Sequence, residues 1–159
     1  MENISKHISY SESTKSETAK KLGLSNTPNE TQLANMKLVA ERIFEVVRGY
    51  FNVPLFIWSF FRSREVNNKT KGASKTSEHM QGKAIDIDGQ IYGGITNKEI
   101  FNYIKDNLDF QQLIWEFGND EEPDWVHVSY SYPYNKKEVI KSIRVMENGK
   151  SKVKYIKYE

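Results

Sequence analysis

The chain contains no cysteine, which excludes a disulfide framework and any thiolate metal site, and leaves the redox compartment undetermined. Histidine is scarce too: any imidazole chemistry must come from His7, His79 or His127. No apolar run approaches the roughly 18 residues needed to cross a bilayer. Met1 to Tyr10 is polar and lacks the apolar centre and small-residue cleavage site of a secretory signal. The expectation is a protein made in the cytoplasm. Net charge is nearly absent, +2 at pH 7, which argues against nucleic acid as a partner. The one basic stretch, Lys136 to Lys157, alternates its charges with Val139, Ile140, Ile143, Val145, Val153 and Ile156, the pattern of the solvated side of a sheet.

What remains is an ordinary globular composition. The chain has 159 residues, 38% of them apolar and 28% charged, which fits one domain with a real core. Ser11 to Leu22 reads as a short surface helix ending at Gly23. Thr27-Pro28-Asn29-Glu30 offers a threonine cap, proline at the first helical position and a glutamate to close the box. The helix it opens carries Leu33, Met36, Ala40, Ile43, Val47 and Tyr50 at spacings of three and four, and should run to about Gly49 with that stripe on a sheet. Leu55 to Ser59 is short, apolar and aromatic, which predicts a buried strand. A polar loop follows, from Asn67 to Glu78.

Further on, Thr96-Asn97-Lys98-Glu99 is a second capping box, before a helix that should bury Ile100, Phe101, Ile104 and Leu108. Gln112 to Phe117 reads as a strand and Asn119 to Asp124 as an acidic turn. Ser142 to Glu147 and Lys150 to Tyr158 flank Asn148-Gly149, the pair that favours a type I′ hairpin. The expected fold is α+β, with a mainly antiparallel sheet, helices on one face and a C-terminal β-hairpin.

Chemistry concentrates in Ser77-Glu78-His79-Met80-Gln81-Gly82-Lys83-Ala84-Ile85-Asp86. Ala84, Asp86 and Asp88 alternate with Ile85 and Ile87, so Asp86 faces away from the isoleucines. Gly82 lets the backbone turn between His79 and that strand. In Trp125-Val126-His127-Val128-Ser129, His127 shares the non-valine face. Two histidines and one aspartate make a three-ligand set with a fourth position free, the pattern of a catalytic zinc. Taken singly, each has an ordinary reading: a loop histidine, a strand-edge carboxylate, a hydrogen-bonded histidine near the core. Asp88 lies on the Asp86 face as a further carboxylate, and His7 lies outside every motif.

The segment Ser77 to Asp86 resembles the Ser-x-His-x-x-x-x-x-x-Asp motif of zinc D-Ala-D-Ala carboxypeptidases, dipeptidases and L-alanyl-D-glutamate endolysins, the M15-like peptidases of the Hedgehog/DD-peptidase fold. The likeness extends to Ile8-Ser9-Tyr10-Ser11-Glu12, Asn26-Thr27-Pro28, Ser59-Phe60-Phe61-Arg62-Ser63, Asn67, Gly72-Ala73, Ile114-Trp115-Glu116 and Trp125-Val126-His127-Val128-Ser129, or about residues 8 to 130. Phe60 departs from the glycine usual in many members, which would narrow the site or restrict the loop.

The resemblance implies one Zn2+ held by His79, Asp86 and His127. It implies Asp124 as the general base, Arg62 as a clamp on a substrate carboxylate or carbonyl, Ser77 as a substrate contact, and Glu116 as orienter of a ligand histidine or binder of a substrate amine. Arg64 is the alternative to Arg62. Strict alternation puts Asp124 opposite His127, so its role requires the backbone to bend at Pro123-Asp124. The chain then divides into an N-terminal segment 1–25, a catalytic core 26–132 and a hairpin 133–159. The implied function is hydrolysis of peptidoglycan stem peptides, of the D,D-carboxypeptidase or L,D-endopeptidase type, by a monomeric phage or prophage lysin released onto the cell wall or by a virion component. The alternative is a non-catalytic phage structural or assembly protein that retains the fold and the metal site.

Overall fold

Local capping signals set where the helices begin. In a computed structural model describing residues 1–159, α1 (Tyr10–Thr14) and α2 (Glu17–Leu22) replace the single helix expected there. Ser16 restarts the chain by accepting from the Ala19 N–H at 3.1 Å, and Gly23 ends α2 in the left-handed region. The next helix is capped two residues later than expected. Asn29 accepts from the Gln32 N–H and Gln32 accepts from the Asn29 N–H, both at 2.8 Å, a reciprocal box that outcompetes Thr27 because asparagine caps at least as well.

From there α3 (Glu30–Val39) runs through a π-helical segment, Ala40–Phe44, into α4 (Glu45–Phe51). Met36, Val39, Ala40, Ile43, Phe44 and Val47 are buried, whereas Tyr50 stays exposed at the end of the stripe. A short helix absent from the sequence reading, α5 (Arg64–Lys69), occupies the start of the predicted polar loop under a Ser63 cap. Finally α6 (Asn97–Asn107) has the expected box between Thr96 and Glu99 and buries Ile100, Phe101 and Ile104.

Period-two alternation gives strands whose two faces differ in chemistry. The strands β1 (Phe56–Ser59), β2 (Ala84–Asp88), β3 (Gln112–Glu116), β4 (Trp125–Ser129), β5 (Glu138–Glu147) and β6 (Lys150–Lys157) form one six-stranded sheet in the order β1-β2-β4-β3-β5-β6. Every neighbouring pair is antiparallel except β3 with β5. Ile57, Ile85, Ile87, Leu113, Trp115, Val126 and Val128 share one core with the buried residues of α3, α4 and α6 and with Ile4 and Ile8 near the N-terminus.

Asp86, Glu116 and His127 alternate with those core residues, so they belong to the opposite face. The strand expected to be buried, β1, is buried on one face only: Ile57 is in the core, whereas Trp58, on the other face of a strand with a neighbour on one side, is 51% exposed. The hairpin forms where expected, with Asn148 at φ 51° and Gly149 at φ 73° as a type I′ turn demands. Its first strand pairs with β3, so β5 and β6 extend the same sheet.

Candidate metal centre

His79 sits in a single 3₁₀ turn, Glu78–Gln81, that is held from three directions. Ser77 caps it by accepting from the His79 N–H at 3.3 Å, and Gly82 ends it at φ 71°. From α3, Gln32 Nε2 donates to the Met80 carbonyl at 3.0 Å and Asn35 Nδ2 donates to the Gln81 carbonyl at 2.9 Å. The ring itself is fixed by Nδ1–H, which donates to the Phe60 carbonyl at 2.7 Å. A carbonyl can only accept, so this bond assigns the tautomer and leaves the Nε2 lone pair free.

That lone pair faces Asp86 Oδ2 at 3.2 Å, while His127 Nδ1 lies 2.9 Å from Asp86 Oδ1. Asp86 and His127 are cross-strand partners in the β2–β4 ladder, which is what brings these two distant residues together. One ligand atom from each of His79, Asp86 and His127 lies within 4.8 Å of the others. With Nδ1–H committed to Phe60, His79 Nε2 and Asp86 Oδ2 are two electron-pair donors facing each other, an arrangement that a cation between them makes favourable. The donor set of two imidazoles and a carboxylate fits a zinc ion with an open fourth position.

The ionisation of the trio follows from burial and from the charges it brings together. Burial opposes ionisation of Asp86, but the charges and hydrogen bonds of His79 and His127 outweigh it and hold the carboxyl far below the usual carboxylate range. Burial pushes the His79 pKa down against the pull of Asp86, which keeps the imidazole neutral. In His127 burial is overcome by the hydrogen bond and charge of Asp86, and the pKa rises. Both histidines are buried, and Asp86 keeps partial access to the cleft.

The trio lies in a cleft of about 1120 Å³, walled by the loop from Lys71 to Glu78 and by the C-terminal hairpin. Arg62 reaches into it: its backbone N–H donates to the His79 carbonyl at 3.2 Å, and Nη2 donates to Ser77 Oγ at 3.4 Å. Its Nε is buried without a partner. Burial lowers its pKa and the charge of Asp86, on the same cleft, opposes that. Arg64 is exposed and does not line the cleft, so Arg62 is the arginine brought to the metal face.

Ser77 lines the cleft as well as capping the His79 turn. Glu116 lines it as a buried carboxylate, with Ser142 Oγ donating to it from β5. Burial raises its pKa above the ordinary value, with the Asp86 charge adding to the rise and His127 opposing it.

Asp124 is the predicted residue that is set apart. It is exposed and lines a smaller recess with Gly118, Asn119 and Asp120, which adjoins the cleft through Phe117 and Arg144. Its backbone N–H donates to the Glu116 carbonyl at 2.8 Å, so the chain there follows the edge of β3. Asp88 is also accounted for elsewhere: it accepts from Trp58 Nε1 at 3.0 Å, the Gln90 N–H at 2.9 Å and Asn97 Nδ2 at 3.1 Å. Phe60 buries its side chain in the core rather than narrowing the cleft. Trp125 lines the cleft, whereas Trp115 is core.

Sequence reasoning missed the contribution of the hairpin, from which Arg144, Val153 and Tyr155 line the cleft. The signal that could have found it was the spacing of Ser142, Arg144, Val153 and Tyr155 about Asn148-Gly149, which puts all four on one face of the predicted hairpin.

An α+β sheet that gathers a His-Asp-His trio at the floor of an open cleft defines a class of protein suited to hold one metal ion and admit a substrate to it. The peptidase M15 family model matches residues 6–129, and the chain belongs to that family. Among curated proteins, a search returns no match. The family is zinc-dependent in general and its members are peptidases. No helix of this chain is long and apolar enough to cross a membrane.

Proposed function

We propose that the protein is a zinc-dependent peptidase that hydrolyses amide bonds in peptidoglycan stem peptides, as a D,D-carboxypeptidase or an L,D-endopeptidase. The observation that carries this reading is the convergence of His79, Asp86 and His127 beside Arg62 in an open cleft, in a chain of this family. Zinc held by the trio would supply polarisation of the scissile carbonyl and a water of lowered pKa. His79 is kept in the ligating tautomer by the Phe60 carbonyl.

Arg62 is suited to hold the substrate carboxylate or the carbonyl oxygen, because its guanidinium is always charged and its Nε has no partner within the protein. Glu116 is the carboxylate best placed to move a proton. It is in the cleft, shares a sheet face with His127, and its raised pKa makes it a stronger base than an exposed glutamate. In this reading Glu116 takes a proton from the attacking water and returns it to the leaving nitrogen. Asp124, the base implied by resemblance, would have to act from the adjoining recess.

The test is digestion of purified peptidoglycan by the zinc-loaded protein, with mass analysis of the released fragments. New amino and carboxyl termini within stem peptides are expected, and their identity names the bond. Intact peptidoglycan, or digestion that persists in His79→Ala, would sink the proposal and leave a scaffold that keeps the fold.

A further inference from the structure

The C-terminal hairpin lies outside the residues that match the family, which end at 129, yet it walls the cleft. Its registers put Glu116 opposite Ser142 and Ser142 opposite Tyr155, a row across β3, β5 and β6. Residues opposite one another in neighbouring strands share a face, so Tyr155 stands on the metal face, one strand beyond the serine that donates to Glu116. In a flat sheet, four inter-strand steps would hold β6 roughly 19 Å from β2. That Tyr155, Asp86 and Arg62 line a single cleft requires the sheet to twist the hairpin over the metal face.

We propose that Tyr155 is a catalytic residue that donates its phenolic hydrogen to the scissile carbonyl oxygen as negative charge builds there, from the side of the cleft opposite Arg62. The inference rests on the peptidase reading above. A tyrosine suits the work because its hydroxyl is a directional donor at the end of a ring that packing can hold in place. The residue is 49% exposed, and partial burial together with the charges of Glu116 and Asp86 raises its pKa, with Arg62 opposing, so the phenol keeps its proton at neutral pH. Nothing covalent is asked of it. The hydrogen bond forms as the carbonyl becomes tetrahedral and charge gathers on its oxygen.

The experiment compares zinc-loaded full-length wild type, Tyr155→Phe and Lys154→Ala on purified stem peptides. The expected result for Tyr155→Phe is a fall in kcat on the order of 100-fold, with KM and bound zinc unchanged. Affinity for a phosphinate peptide, a mimic of the tetrahedral state, should fall in parallel, measured by calorimetry. Lys154→Ala, on the other face of the same strand, should match wild type, which separates loss of the phenol from disturbance of the hairpin. A Tyr155→Phe kcat within about twofold of wild type overturns the role of Tyr155 while the peptidase reading stands. A wild type that neither cleaves stem peptides nor binds the phosphinate overturns both.

Discussion

At the scale of the residue, the site depends on which carboxylate moves the proton and which one holds the ion. Glu116→Gln should retain zinc and lose on the order of 100-fold or more in kcat, whereas Asp124→Asn should lose less than tenfold, as steady-state kinetics will show. The reverse order would return the role of base to Asp124. A second consequence of Glu116 needs no substrate. Burial holds its carboxyl above the ordinary value of 4.5, so the folded state binds this proton more tightly than the unfolded chain does, and the stability this contributes is present below 4.5 and lost as pH rises through the raised value. Metal-free Glu116→Gln should therefore melt higher than metal-free wild type at neutral pH, with the difference closing as pH falls below 4.5, as calorimetric scans will show. The grouping of His79, Asp86 and His127 was legible in the sequence because each is a chemically distinctive residue in a short motif. The cleft positions of Glu116 and Tyr155 were less so, since they depend on registers between strands far apart in the chain.

At the scale of the element, the His79 turn is clamped against α3, and Gly82 marks how closely. A Cβ at Gly82 would stand 2.5 Å from the Gln32 carbonyl oxygen and 2.7 Å from Met36 Cγ, at a φ of 71° that L side chains rarely adopt. Gly82→Ala should cost about 1–3 kcal/mol of stability in denaturant titration and weaken zinc binding, because relief of the clash moves the turn that carries His79. The helices show where sequence patterns suffice and where they do not. The Thr96 box and the α6 core stripe were legible because both signals are local. The cap of α3 was placed two residues early because Thr27 and Asn29 both offer a side-chain acceptor, and only the reach of Gln32 decides between them. The expectation of a buried β1 held for Ile57 and not for Trp58, for a different reason. Apolar content reports burial of side chains, and an edge position is set by topology that no short window contains.

At the scale of the whole molecule, the His-Asp-His trio comes from the turn before β2, from β2 and from β4, so an ion bound there would join segments 48 residues apart in the chain, from His79 to His127. An ion that binds only the folded state stabilises it by mass action. Zinc at a hundred times its Kd should add about 2.7 kcal/mol, seen as a rise in Tm, and Asp86→Asn should abolish that rise while leaving the metal-free protein folded. The outer boundary of the sheet has its own consequence. On β6, Lys150, Lys152 and Lys154 recur at every second residue and are exposed, on a strand with no neighbour beyond it. A row of like charges along an open strand repels a second copy approaching to add its own ladder, so three ammonium groups that take no part in the cleft guard the free edge of the sheet.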